Sequence, residues 1–459
     1  MMSLQQAATA VRGKALGGNP VFTRVIIDSR EVAPGDLFVA LRGERFDGHD
    51  FVPEAFRAGA AAALVAADAG DRLSALEAPL VVVPDTRRAL GDLAAHWRGR
   101  FRIPLVGLTG SNGKTTVKEM LASILREAAG AEDAVLATQG NLNNDIGLPL
   151  MLLRLSAGHR YAVIEMGMNH AGEIAYLTRL ARPDVAIVTN VGRAHMEFLG
   201  TREGIARAKG EIFEGLGTDG VAVINADDAF APLFRKAVAG HPVIDFGLEH
   251  PARVSAAYRL GADGSHMTLR LPGGDVEAQL RVPGVHNVRN ALAAAAAASA
   301  LSVSPAAIAS GLGRFAGVKG RLQRKAGLNG SILIDDTYNA NPESVEAGLG
   351  VLAAAPPSRV LVLGDMGELG PGSFEFHSEI GAKARAAGIE TLLALGDASV
   401  HAARAFGPGA RHFERIEDLL AHLENLLAPG VTVLVKGSRF MQMERVVRGM
   451  ERTAAQGEA

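Results

Sequence analysis

Residues 104–118 read PLVGLTGSNGKTTVK, and the fold turns on them. A nucleotide-phosphate loop of the common GxxxxGK[ST] form carries glycine at its first position, where this chain has Leu108. The remaining parts are all present. An apolar strand leads in, Gly110 and Gly113 let backbone N–H groups converge, Lys114 suits β and γ phosphate oxygens, and Thr115 offers a hydroxyl to Mg2+. Ser111, Asn112 and Thr116 fill out the loop, and a helix follows. The competing reading is a glycine-rich turn before a helix that happens to begin Lys-Thr-Thr; the strand in front of the loop argues against it.

Outward from this loop, the buried-strand runs YAVIE, DVAIVTN and GVAVIN alternate with helix-length segments, the βαβ rhythm of a parallel sheet. ARVSAAYRL, HMTLRL and VEAQLRV instead alternate with period two and are joined by GADGS and PGGD turns, which predicts antiparallel hairpins. HNVRNALAAAAAASAL and PAAIASGLGRF read as helices. Before the loop, RVIID, LFVAL and LVVV mark a small α/β unit that ends near GRFRIP; after GVKGR at 317–321, strands SILIDD, RVLVLGD, TLLALGD and VTVLVKGS restart the alternation. The expected organisation is α/β throughout, in three domains. These are a small N-terminal substrate domain (1–100), a central doubly wound P-loop domain with an antiparallel appendage (101–317) and a Rossmann-like C-terminal domain (318–459).

Composition agrees. A chain of 459 residues exceeds one core, and at about 150 residues per domain it divides into roughly three. Forty-seven Lys plus Arg against 49 Asp plus Glu leave a net charge of -2, which excludes a sequence-independent hold on nucleic acid or anionic membrane. The absence of cysteine removes disulfides, thiolate nucleophiles and cysteine zinc sites. The N-terminus has no apolar signal-peptide core, and ALAAAAAASAL at 291–301 is too short to span a bilayer, so a cytoplasmic chain is expected, with a monomer as the default.

Several residues stand out beside the loop. Glu165 closes YAVIE on the loop's own sheet, within reach of a metal ion there, or else caps the next helix. His195 follows another strand of that sheet. Lys209, in REGIARAKGEIF, has the spacing of an ordinary surface lysine. Asn287 and Asn290 sit at a helix start, where capping is the usual role. Asp335 and Asp336 end a third-domain strand, where carboxylates hold ribose hydroxyls or start a turn.

Taken together, these blocks resemble the Mur ligases. The loop of that family reads like TGSNGKTT, so Leu108 is its expected variant. DSREVAPGDLFVALRGERFDGHDF is similar to the segment with which later-acting members hold a UDP-sugar, making Ser29 and Arg30 candidate contacts. TQGNLNNDIGLP, EMGMNHAGEI, AHMEFLG, AKGEIF, HNVRNALAA, DDTYNANPES, LGDMGELG and VKGSR resemble family blocks in family order, so the resemblance covers all three domains. It implies an ATP-dependent amide ligase of peptidoglycan precursor synthesis that forms an acyl phosphate and releases ADP and phosphate. Lys114 would hold the β and γ phosphates and Thr115 a magnesium ion; Glu165, His195 and Lys209, the last as a CO2-derived carbamate, would serve a second. Asn287 would meet adenine, Asp336 the ribose and Arg321 the phosphates. Asn141 and Asn144 would meet the UDP-linked substrate, and the incoming dipeptide would lie near VKGSR, with Lys436 and Ser438.

The diaminopimelate- or lysine-adding relative carries a DNPR motif that is missing here, whereas DDTYNANPES with LGDMGELG resembles the member that joins D-alanyl-D-alanine to UDP-N-acetylmuramoyl-tripeptide. The third residue of the acceptor peptide stays open, and no side chain stands out as the base for the amine. The alternatives are a sibling that adds one amino acid and a non-catalytic nucleotide-binding switch. Folylpolyglutamate synthases share the ATP loop but not the DSR-to-GHDF block.

Overall fold

The computed structural model describes residues 1–74, 76–193, 196–238, 240–261 and 263–452. Three main sheets follow one another along the chain. The first runs Lys14–Leu16, Leu80–Val83, Ala62–Ala66, Asp36–Val39, Arg24–Ile26, parallel except at the Lys14–Leu16 edge. The helix Thr86–Arg98 starts where PDT predicts it, with Asp85 accepting from the N–H groups of Arg87 and Arg88.

The central sheet has six parallel strands in the order Val243–Phe246, Val221–Asn225, Val185–Val188, Leu105–Thr109, Tyr161–Glu165, Val135–Ala137. The strand entering the glycine loop therefore lies in the middle, flanked by the strands that end at Val188 and Glu165. All five of its residues are buried, as continuous apolar runs in a parallel sheet require. The three antiparallel strands Ser255–Gly261, Gly264–Arg270 and Val276–Leu280 form the expected appendage. The alanine-rich run lies in Val285–Ala300, whose residues 291–298 are fully buried against the sheet. Alanine suits that place because it lets a helix approach closely.

The third sheet runs Gln323–Ala326, Ile332–Asp336, Thr432–Lys436, Arg359–Gly364, Thr391–Leu395, Ala410–Phe413, parallel apart from the first pair. The antiparallel edge strand Gln323–Ala326 is not anticipated by the sequence, since QRKA has no apolar face to mark it. The first two units also share one apolar core that runs from Met2 and Leu4 through Leu93 and Trp97 to Leu152, Leu177 and Phe234. Trp97 donates its indole N–H to Leu155 O (3.0 Å), and Arg87 pairs with Asp145. Among the described residues no helix is long and apolar enough to cross a membrane.

The helix behind the glycine loop, Lys114–Ala129, packs so closely on Pro305–Arg314 that a Cβ at Gly311 would overlap the Ile124 backbone. Gly311→Ala is expected to cost about 1–3 kcal/mol through overpacking, read as a lower urea midpoint. An unchanged midpoint would contradict this contact.

Candidate active site

Leu108 is a strand residue, fully buried and in register with Glu165 on one side and Ile187 on the other. The turn begins only after Thr109, so the first glycine falls at 110. Gly113 caps the helix at φ +81°, a left-handed conformation open to glycine, and a Cβ there would collide with the Asn290 side chain. The loop is braced by its neighbours: Gly192 N–H donates to Ser111 Oγ (2.8 Å), Asn112 N–H to Asn190 Oδ1 (2.9 Å), and Thr189 Oγ1 to Asn112 O (2.7 Å). Lys114 Nζ donates to the carbonyls of Gly110 (2.6 Å) and Ser111 (3.4 Å). Burial pushes its pKa down, and the Glu165 carboxylate opposes that shift.

Glu165 does not cap a helix; the next one, Glu173–Ala181, has Gly172 at its N-cap. The carboxylate is buried. It accepts from Thr115 Oγ1 (3.0 Å) on one oxygen and from Asn143 Nδ2 (2.8 Å) on the other. Arg321 donates to the same Thr115 hydroxyl (3.0 Å), stacks over Tyr338 at 4.3 Å and keeps its own Nε buried without a partner. A hydroxyl and a carboxylate are the oxygen donors magnesium takes, so Thr115 and Glu165 fit it. Among the described residues no three His, Cys, Asp or Glu gather into a group that could hold a metal ion.

Lys209 departs from the surface reading. It lies in the helix Arg202–Gly210 at 1% exposure. Burial, reinforced by the Lys114 charge, lowers its pKa well below the usual lysine value. The shift favours the neutral, nucleophilic form of the amine over what an exposed lysine would show. His195 lies outside the described residues.

The third domain closes the site. Asp336 accepts from Lys436 Nζ (2.6 Å), which also donates to Asn339 O (2.9 Å); burial raises the Asp336 pKa against the pull of that lysine. Asp335 makes the turn instead, accepting from the Thr337 hydroxyl (2.6 Å) and N–H. Ser438 is tied down, donating to Ala340 O (3.1 Å) and accepting from Gly367 N–H (2.7 Å). Asn287 is not a cap. Gly284 holds that place, and Asn287 Nδ2 reaches back to Pro283 O (2.7 Å), while Asn290 donates to Asn287 Oδ1. Beside it, His286 Nε2 is enclosed without a partner, and burial together with Lys436 lowers its pKa to about 4.

Two contacts missed in the sequence join the central and third domains. Asn341 Nδ2 donates to Asn112 Oδ1 (2.9 Å) in the loop itself. Arg193 bonds Glu343 (2.8 Å) and Glu379 (2.9 Å) and stacks on Phe376. Nothing in the sequence pairs residues so far apart. Between the domains lies a cavity of ≈ 950 Å³ lined by Lys114, Glu165, Asn287, Arg321 and Asp336 together with Asn141 and Asn144. Ser29 and Arg30 lie apart from it, and the Arg30 guanidinium is exposed and paired with Asp28 (2.6 Å).

Comparison with known proteins settles the family. The chain matches the Mur ligase family catalytic domain over residues 21–98, the Mur ligase middle domain over 108–298 and the Mur ligase glutamate ligase domain over 320–439. The chain belongs to the Mur ligase family. It is 42% identical to the UDP-N-acetylmuramoyl-tripeptide--D-alanyl-D-alanine ligase of Escherichia coli over 98% of both chains, and 35% identical to that of Bacillus subtilis over 98% of both. Among solved structures, a MurF from Acinetobacter baumannii superposes with TM-score 0.90 at 38% identity, covering 97% of this chain and 98% of its own. A Thermotoga maritima MurF in complex with ADP gives TM-score 0.80 at 31% identity, covering 93% and 96%. As a Mur ligase this chain is an enzyme of the ligase class.

The buried Lys209 amine sets a pH signature. Its folded pKa lies below the unfolded value of 10.5, so between the two values the unfolded chain binds the extra proton and stability falls as pH falls. In CO2-depleted buffer, Lys209→Met is expected to gain on the wild type as pH drops through that window, by at most about 1.4 kcal/mol per pH unit. Parallel stability-versus-pH curves would contradict the lowered pKa of the buried amine.

Proposed function

We propose that this ligase joins D-alanyl-D-alanine to UDP-N-acetylmuramoyl-tripeptide, consuming ATP and releasing ADP and phosphate. The carrying observation is the single cleft in which the glycine loop, the asparagine-rich loop at 139–144 and the third-domain Asp336 face one another. The third residue of the acceptor peptide is assigned as diaminopimelate, the residue in the name of an A. baumannii ligase 38% identical over 97% of both chains. The enzyme acts as a cytoplasmic monomer.

A carboxylate resists amide formation because oxide is a poor leaving group, so it must first be activated. The glycine-loop N–H groups and Lys114 bind the triphosphate and orient its γ-phosphoryl group toward the acceptor carboxylate. Arg321, with its free Nε, adds charge at the phosphates. Asp336 and Asn287 hold ribose and adenine, and Asn141 and Asn144 hold the UDP-linked peptide. Thr115 and Glu165, with His195 and a carbamate on Lys209, would hold magnesium, which would supply positive charge against the phosphoryl oxygens. Lys209 suits the modification because a neutral buried amine can add CO2 and become an anion beside Lys114. The D-alanyl-D-alanine amine, near Lys436 and Ser438, attacks the activated carbonyl carbon. Packed domains keep water from the mixed anhydride. Ser29 and Arg30 bind the UDP end.

Phosphate release from ATP is expected only with both UDP-N-acetylmuramoyl-tripeptide and D-alanyl-D-alanine present. Release with diaminopimelate or L-lysine replacing the dipeptide would move the chain to a sibling activity, and no release with any set would favour a nucleotide switch. Lys209→Ala should lose most activity and regain part of it with a small added carboxylic acid. Full activity without that addition would remove the carbamate.

A further inference from the structure

The mechanism leaves the buried Lys118 ammonium unused. Lys118 lies one helical turn beyond Lys114, on the same helix face, and is among the largest fully buried side chains of the chain. Its ammonium donates to Thr138 O (2.5 Å) and lies 2.8 Å from Glu119 Oε1. Burying an ammonium is costly unless it is paired, and a helix facing a sheet needs only an apolar residue there.

The lysine fixes Thr138, the first residue after the strand Val135–Ala137. Thr138 N–H donates to Val163 O (3.0 Å), and its hydroxyl accepts from Glu165 N–H (2.9 Å). From Thr138 the chain runs into the loop whose Asn141, Asn143 and Asn144 line the cleft. That loop is fastened again at its far end: Asn143 donates to Glu165, Gly167 N–H donates to Asn143 O (2.9 Å), and Asn144 Oδ1 accepts from Gly147 N–H (2.8 Å). Lys118 is thus the direct side-chain tie from the phosphate-loop helix to the near end of this loop.

We propose that Lys118 is a positioning residue that locks the helix carrying Lys114 and Thr115 to the 138–144 loop. The phosphate site and the UDP-peptide asparagines then keep one relative placement. This rests on the functional reading above, which assigns Asn141 and Asn144 to the UDP-linked substrate.

The test uses the full chain with Lys118→Met, which keeps the bulk and removes the donor, and Lys118→Gln, whose shorter amide can still donate. Steady-state KM values for UDP-N-acetylmuramoyl-tripeptide and for ATP are compared, with calorimetric titration of the UDP-tripeptide in the presence of ADP. Lys118→Met is expected to raise the KM and Kd for the UDP-tripeptide about tenfold while the KM for ATP stays within about twofold. Lys118→Gln should give an intermediate rise of about threefold in the same constants, and it carries the test alone if the methionine variant does not fold. Both KM values rising together, or a folded variant with unchanged constants, would overturn the positioning role and leave the functional reading intact. A wild type inactive with every substrate set would overturn the reading and this inference together.

Discussion

The Glu165 carboxylate, gripped by the Thr115 hydroxyl on one oxygen and the Asn143 amide on the other, is the contact around which the cleft is arranged. Through Thr115 it meets the glycine loop and Arg321; through Asn143 it meets the 138–144 loop; through its backbone N–H it meets Thr138. A buried carboxylate is tolerable only where its charge is answered, and Thr115, Asn143 and the Lys114 charge answer Glu165. Arg321 keeps a buried N–H unused. A cleft that offers the glycine-loop N–H groups, Lys114 and the spare Arg321 N–H is suited to phosphates and carboxylates, the anions a ligase must bring together.

The domain joints follow the same logic. The first two units share apolar core, so the N-terminal domain is set firmly on the central one. The third domain touches the glycine loop through polar contacts instead: Asn341 to Asn112, Arg321 to Thr115, and Arg193 to Glu343 and Glu379. Polar joints give up less on opening than apolar ones, because water can replace their partners. The cleft that admits substrates therefore lies on the more separable of the two boundaries.

The parallel sheets were legible because runs such as LVGLT and YAVIE have no polar face to lose. The loop was legible despite Leu108 because its glycines and Lys-Thr pair carry the backbone constraints locally. Other features depend on tertiary neighbours. Lys209 has helical spacing suited to a surface, and only the packing of its helix buries it. Of the asparagines in NLNND, the side chain that turns to Glu165 is Asn143, a choice set by the fold. Asn287 reads as a cap until Gly284 takes that place, and Asp335 and Asp336 look equivalent until Lys436 pairs with one of them. A histidine shows the converse: His49 sits in the DSR-to-GHDF block, but it is buried with both ring nitrogens engaged, by the Asp47 carboxylate and the Ala66 N–H.

The central claim is that this cleft activates a carboxylate by moving a phosphoryl group onto it. Its most direct test is turnover of UDP-N-acetylmuramoyl-tripeptide carrying oxygen-18 in the acceptor carboxylate, with mass analysis of the released phosphate. The account predicts that each phosphate carries one labelled oxygen, because the carboxylate oxygen that took the phosphoryl group leaves with it. Unlabelled phosphate alongside normal amide formation would contradict it.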